Sequence, residues 1–416
     1  MKIAVVGGGS TYTPELAEGF GANAKALGID EVVLVDPAAD KLEVIGPLTR
    51  RIMRRQGSDA RVTWTSDLDR GVDGAAVVLL QLRVGGQDAR IQDEAFPLEC
   101  GCVGQETTGA GGLAKALRTI PVVLDIAERV RRIAAPNAWI VDFTNPVGMV
   151  TRALLDQGHR AVGLCNVAIG FQRRFAALLD RAPEEVTLDH IGLNHLTWET
   201  VVRLDGRDAL PDLLEQHREA LAEEVDLPPE VFADGLVPSY YLRYFYGHDA
   251  EVERLRTAPS RGQEVARIEA ELWDLYQDDT LDEKPEPLSR RGGAYYSQAA
   301  VDLMRSLLTE DGAVHAVNLR NRGFLPYLPD EAVIEVSATV GAEIEPAVTT
   351  PLNARQRGLV SAVAAYEELG VAAAVHGGER RVYEALLAHP LVGQHDLAEG
   401  LTRRLIATGR EHLPWA

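Results

Sequence analysis

Val5-Val6-Gly7-Gly8-Gly9-Ser10-Thr11-Tyr12-Thr13-Pro14, near the start of the chain, decides the fold. It reads as an apolar strand, a glycine turn and a helix opened by Thr13 as cap with Pro14 in its first turn, where the missing N–H of proline has no intrahelical partner to lose. A helix N-terminus facing a glycine turn offers free N–H groups and a positive dipole end to a phosphate. A second apolar run, Val32-Val33-Leu34-Val35, ends in Asp36, placed to take a ribose hydroxyl. Gly7 and Gly9 fit the G-x-G-x-x-G spacing, and Tyr12 stands where the third glycine belongs. The pattern predicts a dinucleotide held by Gly7, Gly8, Gly9, Ser10, Thr11 and Asp36, with a tight turn that binds nothing as the alternative.

The stretch around this motif is long enough to give it a sheet. At 416 residues the chain suggests two domains. With 46% hydrophobic and 25% charged residues it can bury a sizeable core. Acids outnumber basic residues 62 to 42, a formal charge of −20 that argues against nucleic acid or an anionic membrane as partner. Three cysteines without a C-x-x-C suggest a reducing compartment and no disulfide framework. No leader precedes the first strand and no apolar run reaches the length of a membrane span, so a cytoplasmic protein is expected.

Strand-like and helix-like stretches alternate through residues 1–185. Strands are expected at Lys2–Gly7, Glu31–Val35, Val62–Thr65, Ala75–Gln81, Ala138–Phe143 and Ala161–Leu164. Helices are expected at Pro14–Leu27, Asp40–Gln56, Gly112–Ile133 and Val147–Asp156. Buried strands followed by helices predict a Rossmann-like, doubly wound parallel sheet whose ligands gather at the carboxyl ends of its strands. Residues 186–416 read as a second, α+β domain, with strands at Val186–Leu193, Leu196–Arg203, Val314–Arg320 and Ala332–Val340. Polar helices at Leu210–Glu224 and Glu264–Tyr276 and a helical tail from Ala354 to Glu411 complete it. Thr280–Pro287, rich in acids and proline, reads either as a mobile loop or as a solvated connector.

Several local strings carry chemistry: Gly7-Gly8-Gly9-Ser10 with Tyr12 and Pro14; Arg83-x-Gly85-Gly86 followed by Arg90-x-x-Asp93-Glu94; Gly104-Gln105-Glu106-Thr107-Thr108-Gly109; Asn145-Pro146; Gly163-Leu164-Cys165-Asn166; Gly192-Leu193-Asn194-His195; and Arg291-Gly292-Gly293. Read alone, a Cys and a His thirty residues apart are seldom a metal pair, although thiolate and imidazole together suit a borderline transition ion. Arg90 and Arg291 could grip an anion from loop positions or lie in ordinary ion pairs. Arg83 and Arg290 are weaker candidates. Asn145 could be a turn former before Pro146. The tyrosines around Tyr241 would more often be core than catalytic. Cys100 and Cys102 read as packing thiols.

Taken together these strings resemble the NAD- and manganese-dependent family 4 glycoside hydrolases, and within them the 6-phospho-β-glucosidase branch, from residue 1 to about 400. The family stands apart from two-carboxylate glycoside hydrolysis. The resemblance implies NAD as cofactor, Cys165 and His195 as ligands of Mn²⁺ or another divalent metal, and Arg90, Asn145, Asn166 and Arg291 around a phosphorylated sugar. It implies Tyr241 as the catalytic base, with Tyr240 one residue away as the alternative. A phenol needs a neighbouring cation to act as base near neutral pH, and Arg243 and the metal are the expected sources. Asn166 cannot donate a proton where α-specific relatives carry an acid, which favours the β branch and leaves the acid for the leaving group unassigned. Glu106 is expected near cofactor or substrate.

The implied reaction is hydrolysis of a 6-phospho-β-glucoside such as cellobiose 6-phosphate to glucose 6-phosphate, by oxidation, elimination, addition and reduction with no net redox change. The resemblance also implies a homodimer or homotetramer. Alternatives are a 6-phospho-α-glucosidase or α-galactosidase of the same family, an NAD-dependent 2-hydroxy acid dehydrogenase, or a dinucleotide sensor without catalysis.

Overall fold

The computed structural model describes residues 1–293 and 295–416. The strands are β1 (Lys2–Val6), β2 (Glu31–Val35), β3 (Arg61–Thr65), β4 (Val77–Leu80), β5 (Trp139–Asp142), β6 (Ala161–Leu164), β7 (Val186–Leu193), β8 (Leu196–Leu204), β9 (Arg207–Asp208), β10 (Val237–Pro238), β11 (Ala313–Arg320), β12 (Val333–Val340) and β13 (Ile344–Pro346). All of these belong to one sheet, ordered β10-β8-β7-β12-β11-β6-β5-β4-β1-β2-β3, with β13 beside β12 and β9 beside β8.

From β3 to β6 every pairing is parallel, in the order 3-2-1-4-5-6 of a doubly wound dinucleotide fold. These strands are near-continuous apolar runs because helices cover both faces: β1 and β4 are buried over almost their whole length. The first seven helices are α1 (Thr13–Leu27), α2 (Ala39–Arg55), α3 (Leu68–Val72), α4 (Gly86–Glu99), α5 (Gly109–Ile133), α6 (Val147–Asp156) and α7 (Val167–Leu178). Beyond β6 the pairing becomes antiparallel: β11 joins β6 through Val317↔Leu164, and β12 and β7 follow. The C-terminal helices pack back over this region, with Tyr296–Thr309 against α1 and Ala354–His376 against α5 and α6.

Some expectations need correcting. Thr13 does not cap α1; it is the first helical residue, Tyr12 holds the cap position, and the Thr13 hydroxyl donates to Gly8 O at 2.9 Å. Arg90 lies on α4, a helix the sequence reading left as loop because its polar residues blur any apolar stripe. The expected helix Leu210–Glu224 is two helices, Leu210–Gln216 and Arg218–Val225, broken at His217. The helix Ala354–His376 does reach the length and apolarity of a membrane span, contrary to expectation, yet Val360, Val363, Tyr366 and Val371 are buried in the core. The Thr280–Pro287 segment is tethered: Arg51 Nε donates to Leu281 O (2.6 Å) and Lys284 pairs with Glu15 and Glu18 (3.0 and 2.6 Å).

Candidate active site

A cavity of about 560 Å³ opens where β1, β4, β5 and β6 end. The strand order reverses between β1 and β4, the position where doubly wound sheets take their ligands. Of the residues singled out in the sequence, Ser10, Arg90, Asn145, Asn166, His195, Tyr241 and Arg291 line this one cavity. Cys165 is buried beside it at the end of β6, and Ser10 and Tyr12, which follow the glycine turn, line it as well.

The turn is packed to the limit on its inner side. Gly7 has φ 88°, and a Cβ there would stand 2.7 Å from Gln81 O; on Gly8 it would meet Leu34 Cβ at 2.7 Å, and on Gly9 Asp36 Cγ at 2.9 Å. Gly7 and Gly8 N–H donate to Val35 O at 2.8 and 2.9 Å, which folds the turn over β2. The Asp36 carboxylate accepts Gly9 N–H on Oδ2 (3.1 Å) and Ala38 N–H on Oδ1 (3.0 Å), leaving lone pairs on both oxygens for hydroxyls. No side chain caps the start of α1. A glycine cradle, an open helix end and an acid at the next strand fit a dinucleotide. The Thr11 hydroxyl belongs to another network: it donates to Glu269 Oε1 (3.1 Å) and accepts from Arg291 Nε (2.8 Å), so only its backbone is left for that end.

The middle of the cavity is ionic. Glu106 receives Arg83 Nη1 at 2.5 Å, Lys115 Nζ at 2.7 Å and Arg90 Nη2 at 3.2 Å. Burial opposes its charge, but these three cations hold its carboxyl well below the usual range. Arg90 also donates from Nε to Glu94 Oε1 at 2.8 Å. Burial pulls Lys115 down to about 7, so Arg83 and Arg90 are the lasting positive charges of the cluster, facing Glu106 and Glu94. Arg291 is half-buried, with Nε and Nη2 on Glu269 Oε1 (3.1 and 2.8 Å); among the described residues nothing bonds its Nη1. The buried Asn145 Oδ1 has no hydrogen-bond partner, an acceptor that a ligand hydroxyl would satisfy.

The third part gathers Cys165, His195 and Tyr241. His195 sits in the β7–β8 turn with φ 61° and is buried. Burial lowers it to about 4, so the imidazole is neutral at pH 7 and can ligate. The Tyr241 ring stacks on it, centroids 3.6 Å apart and planes 8° off parallel, and Tyr240 stacks one layer further out at 4.3 Å. The Cys165 thiol is pushed up by burial and by the charge of Glu335, against hydrogen bonds from Tyr296 and Asn194. Glu335 is held ionised by His190, Asn194 and Asn318 despite its burial. Its Oε2 accepts Asn194 and Asn318 Nδ2, both at 2.7 Å, while Oε1 meets His190 Nε2 at 2.9 Å. His190 Nδ1 lies 2.6 Å from Glu199, and the two acids push the imidazole up to about 10 although burial opposes it. A thiol that resists ionisation, a neutral imidazole and a fixed carboxylate behind them fit a borderline divalent ion, whose charge would stabilise the thiolate. Among the described residues no group of three or more His, Cys, Asp or Glu side chains converges, so such an ion would sit in an open site.

Arg243 is not the cation expected beside Tyr241. It donates from Nη2 to Tyr244 OH at 3.1 Å and pairs with Asp226 at 3.2 Å, whereas the guanidinium that senses the Tyr241 hydroxyl is Arg90. Burial first, then Tyr240 and Cys165, raise the phenol well above its usual value. The sequence reading missed Lys115, Glu335 and Tyr296. Lys115 and Glu335 did leave a signal, a lone charge inside an apolar run in each case (Leu113-Ala114-Lys115-Ala116-Leu117 and Val333-Ile334-Glu335-Val336).

Known proteins resemble this chain along its whole length. The profile of the family 4 glycosyl hydrolases matches residues 2–181 and that of their C-terminal domain residues 190–392. A probable 6-phospho-beta-glucosidase of Bacillus subtilis is 36% identical, over 100% of this chain and 97% of its own length. The 6-phospho-beta-glucosidase of Thermotoga maritima is 35% identical over 99% of both chains. Its crystal structure with manganese, NAD⁺ and glucose-6-phosphate superposes with a TM-score of 0.91 over 99% of both chains. A phospho-alpha-glucosidase of Clostridium acetobutylicum stands further off at 26% identity over 98% of both chains. A malate dehydrogenase of Cryptosporidium parvum, 16% identical with a TM-score of 0.57 over 90% of this chain and 98% of its own, shares the fold alone. The chain belongs to the family 4 glycosyl hydrolases.

Proposed function

We propose that this chain hydrolyses 6-phospho-β-glucosides, with NAD at the Gly7–Gly9 turn and Asp36 and a divalent metal, Mn²⁺ among the candidates, held by Cys165 and His195. The observation that carries it is the meeting, in one cavity, of the start of α1, the Arg83–Arg90–Lys115 cluster and a tyrosine stacked on His195. Identity supports the β branch: 36% and 35% to the phospho-β-glucosidases against 26% to the phospho-α-glucosidase.

When bound, NAD supplies a reversible hydride acceptor and the metal a Lewis acid for the sugar oxygen. The protein's own groups do the rest. Arg291 and Arg90 take the sugar phosphate, Arg291 through the nitrogen its partners leave open and Arg90 by sharing its two carboxylates. Asn145 Oδ1 accepts a sugar hydroxyl and thereby gains the bond it lacks. Asn166 lines the same wall at the end of β6. Tyr241 removes the proton from the carbon next to the oxidised one, and Arg90 is the cation within reach to favour its phenolate.

A cytoplasmic enzyme working as a homodimer or homotetramer is part of this reading; light scattering tests the assembly. The test of function is a chromogenic 6-phospho-β-glucoside with NAD⁺ and Mn²⁺ added or withheld. Turnover that requires both, without NADH accumulating, is expected; net NADH production from a 2-hydroxy acid would instead show a dehydrogenase.

A further inference from the structure

The segment between α4 and α5 puts Thr107 against His195, with Oγ1 2.8 Å from Nδ1. Donor counting fixes the direction of that bond. Gln105 Oε1 receives the backbone N–H of Thr107 at 2.6 Å. A backbone N–H can only donate, so the Gln105 atom turned this way is its carbonyl oxygen, which has no proton to offer. Thr107 Oγ1 lies 2.8 Å from the same oxygen, so its single hydroxyl proton goes there. Oγ1 then has only lone pairs to show to the imidazole, and Nδ1 must carry the ring proton. A neutral imidazole has one N–H, so Nε2 is left with its lone pair. The ring cannot readily turn away, because Tyr241 lies flat against its face at 3.6 Å.

We propose that Thr107, oriented by Gln105, is a positioning residue that fixes His195 as the Nδ1–H tautomer and so reserves Nε2 for the metal. This rests on the reading of His195 as a metal ligand given above. In metal sites the hydrogen bond on the far nitrogen of a ligating histidine sets both tautomer and ring orientation. Two neighbouring residues of one loop do so here, one accepting from the ring and the other removing the alternative proton.

The test uses full-length protein stripped of metal and ¹⁵N-labelled on histidine, with the His195 signals assigned by their loss in His195→Gln. Wild type should show His195 with Nδ1 protonated; an Nε2–H signal would overturn the proposal. Thr107→Val should weaken Mn²⁺ binding, by titration calorimetry, about ten- to a hundredfold while NAD⁺ affinity stays unchanged, and Thr107→Ser should restore it. Gln105→Leu leaves the Thr107 hydroxyl free to rotate, so both tautomers should appear. Unchanged Mn²⁺ affinity in Thr107→Val, or a single unchanged tautomer in Gln105→Leu, would overturn the proposal even with His195 a ligand. Wild-type Mn²⁺ affinity in His195→Gln would instead remove the reading on which it rests.

Discussion

The glycine turn and the charged cavity beside it are built on different principles. At the glycine turn the backbone makes the site: three consecutive residues lie too close to β2, β4 and Asp36 for any side chain, and the polar groups offered are N–H bonds and a helix end. In the cavity the backbone is a frame, and buried side chains from α4, α5, β7, β11 and β12 hold one another by charge and hydrogen bonding. A backbone site tolerates any side chain that stays out of its way and fails on a single methyl. A side-chain site fails when one partner goes, because the other is then buried with its charge or hydrogen bond unmet.

The comparison breaks first, if it breaks, at the metal. Cys165→Ser should lose metal, measured by elemental analysis, and lower hydrolysis by about a thousandfold or more, while NAD⁺ affinity remains that of wild type. Equal metal content in mutant and wild type would take Cys165 out of the site. Next comes the phosphate. Removing the guanidinium in Arg291→Ala takes the ion-pair partner from Glu269 and should cost the phosphorylated substrate about 3–4 kcal/mol in kcat/KM, and an unphosphorylated glucoside far less. Comparable turnover of cellobiose and its 6-phosphate by wild type would refute the clamp.

A smaller effect sharpens the side-chain end through pH. His389 is buried, takes the Gly109 N–H on Nε2 at 3.3 Å and is lowered to about 3 by burial alone. It is a base whose folded value lies below its unfolded one, so between those values the unfolded chain holds a proton that the folded chain does not. Stability therefore falls as pH drops through that window, by about 2 kcal/mol between pH 6.5 and 5. Thermal unfolding of His389→Phe should show a shallower acid slope than wild type. At the backbone end, Gly9→Ala should push Asp36 aside and weaken NAD⁺ about tenfold in a fluorescence titration, with metal content intact. The smallest change is expected far from both ends: Lys284→Ala removes a surface pair with Glu15 and Glu18 and should shift stability by less than about 1 kcal/mol.

The same contrast explains what could be read from the chain. The turn was legible because its constraints are local: strand, glycines, helix start and Asp36 follow one another within 36 residues. So were the parallel strands, whose burial on both faces leaves continuous apolar runs. Cys165 and His195 stand out only as members of strings that resemble a family, since nothing in a spacing of thirty residues says that β11 and β12 come between their strands. Arg90 was placed in a loop because α4 spends its polar residues inward, on Arg118, Glu106 and Gly262 N–H, so that helical periodicity points the wrong way. The pairing of Arg243 with Tyr244 rather than Tyr241 depends on a single helical turn and left no trace in composition.

The sheet order also bears on how the molecule is made. β11 and β12 occupy the positions between β6 and β7, although the ribosome delivers β6 and β7 first and β11 and β12 much later. Until β11 has emerged β6 has an open edge, and until β12 has emerged Glu335, which ties Asn194 and Asn318 together, does not yet exist in the chain. The parallel strands are complete by β6, whereas α1 still awaits Lys284 and the helix Tyr296–Thr309 that pack against it. Cys165 and His195 follow the ends of β6 and β7, the two strands that flank the late arrivals, so the spacing between them in the folded sheet is set by strands that come more than a hundred residues later in the chain.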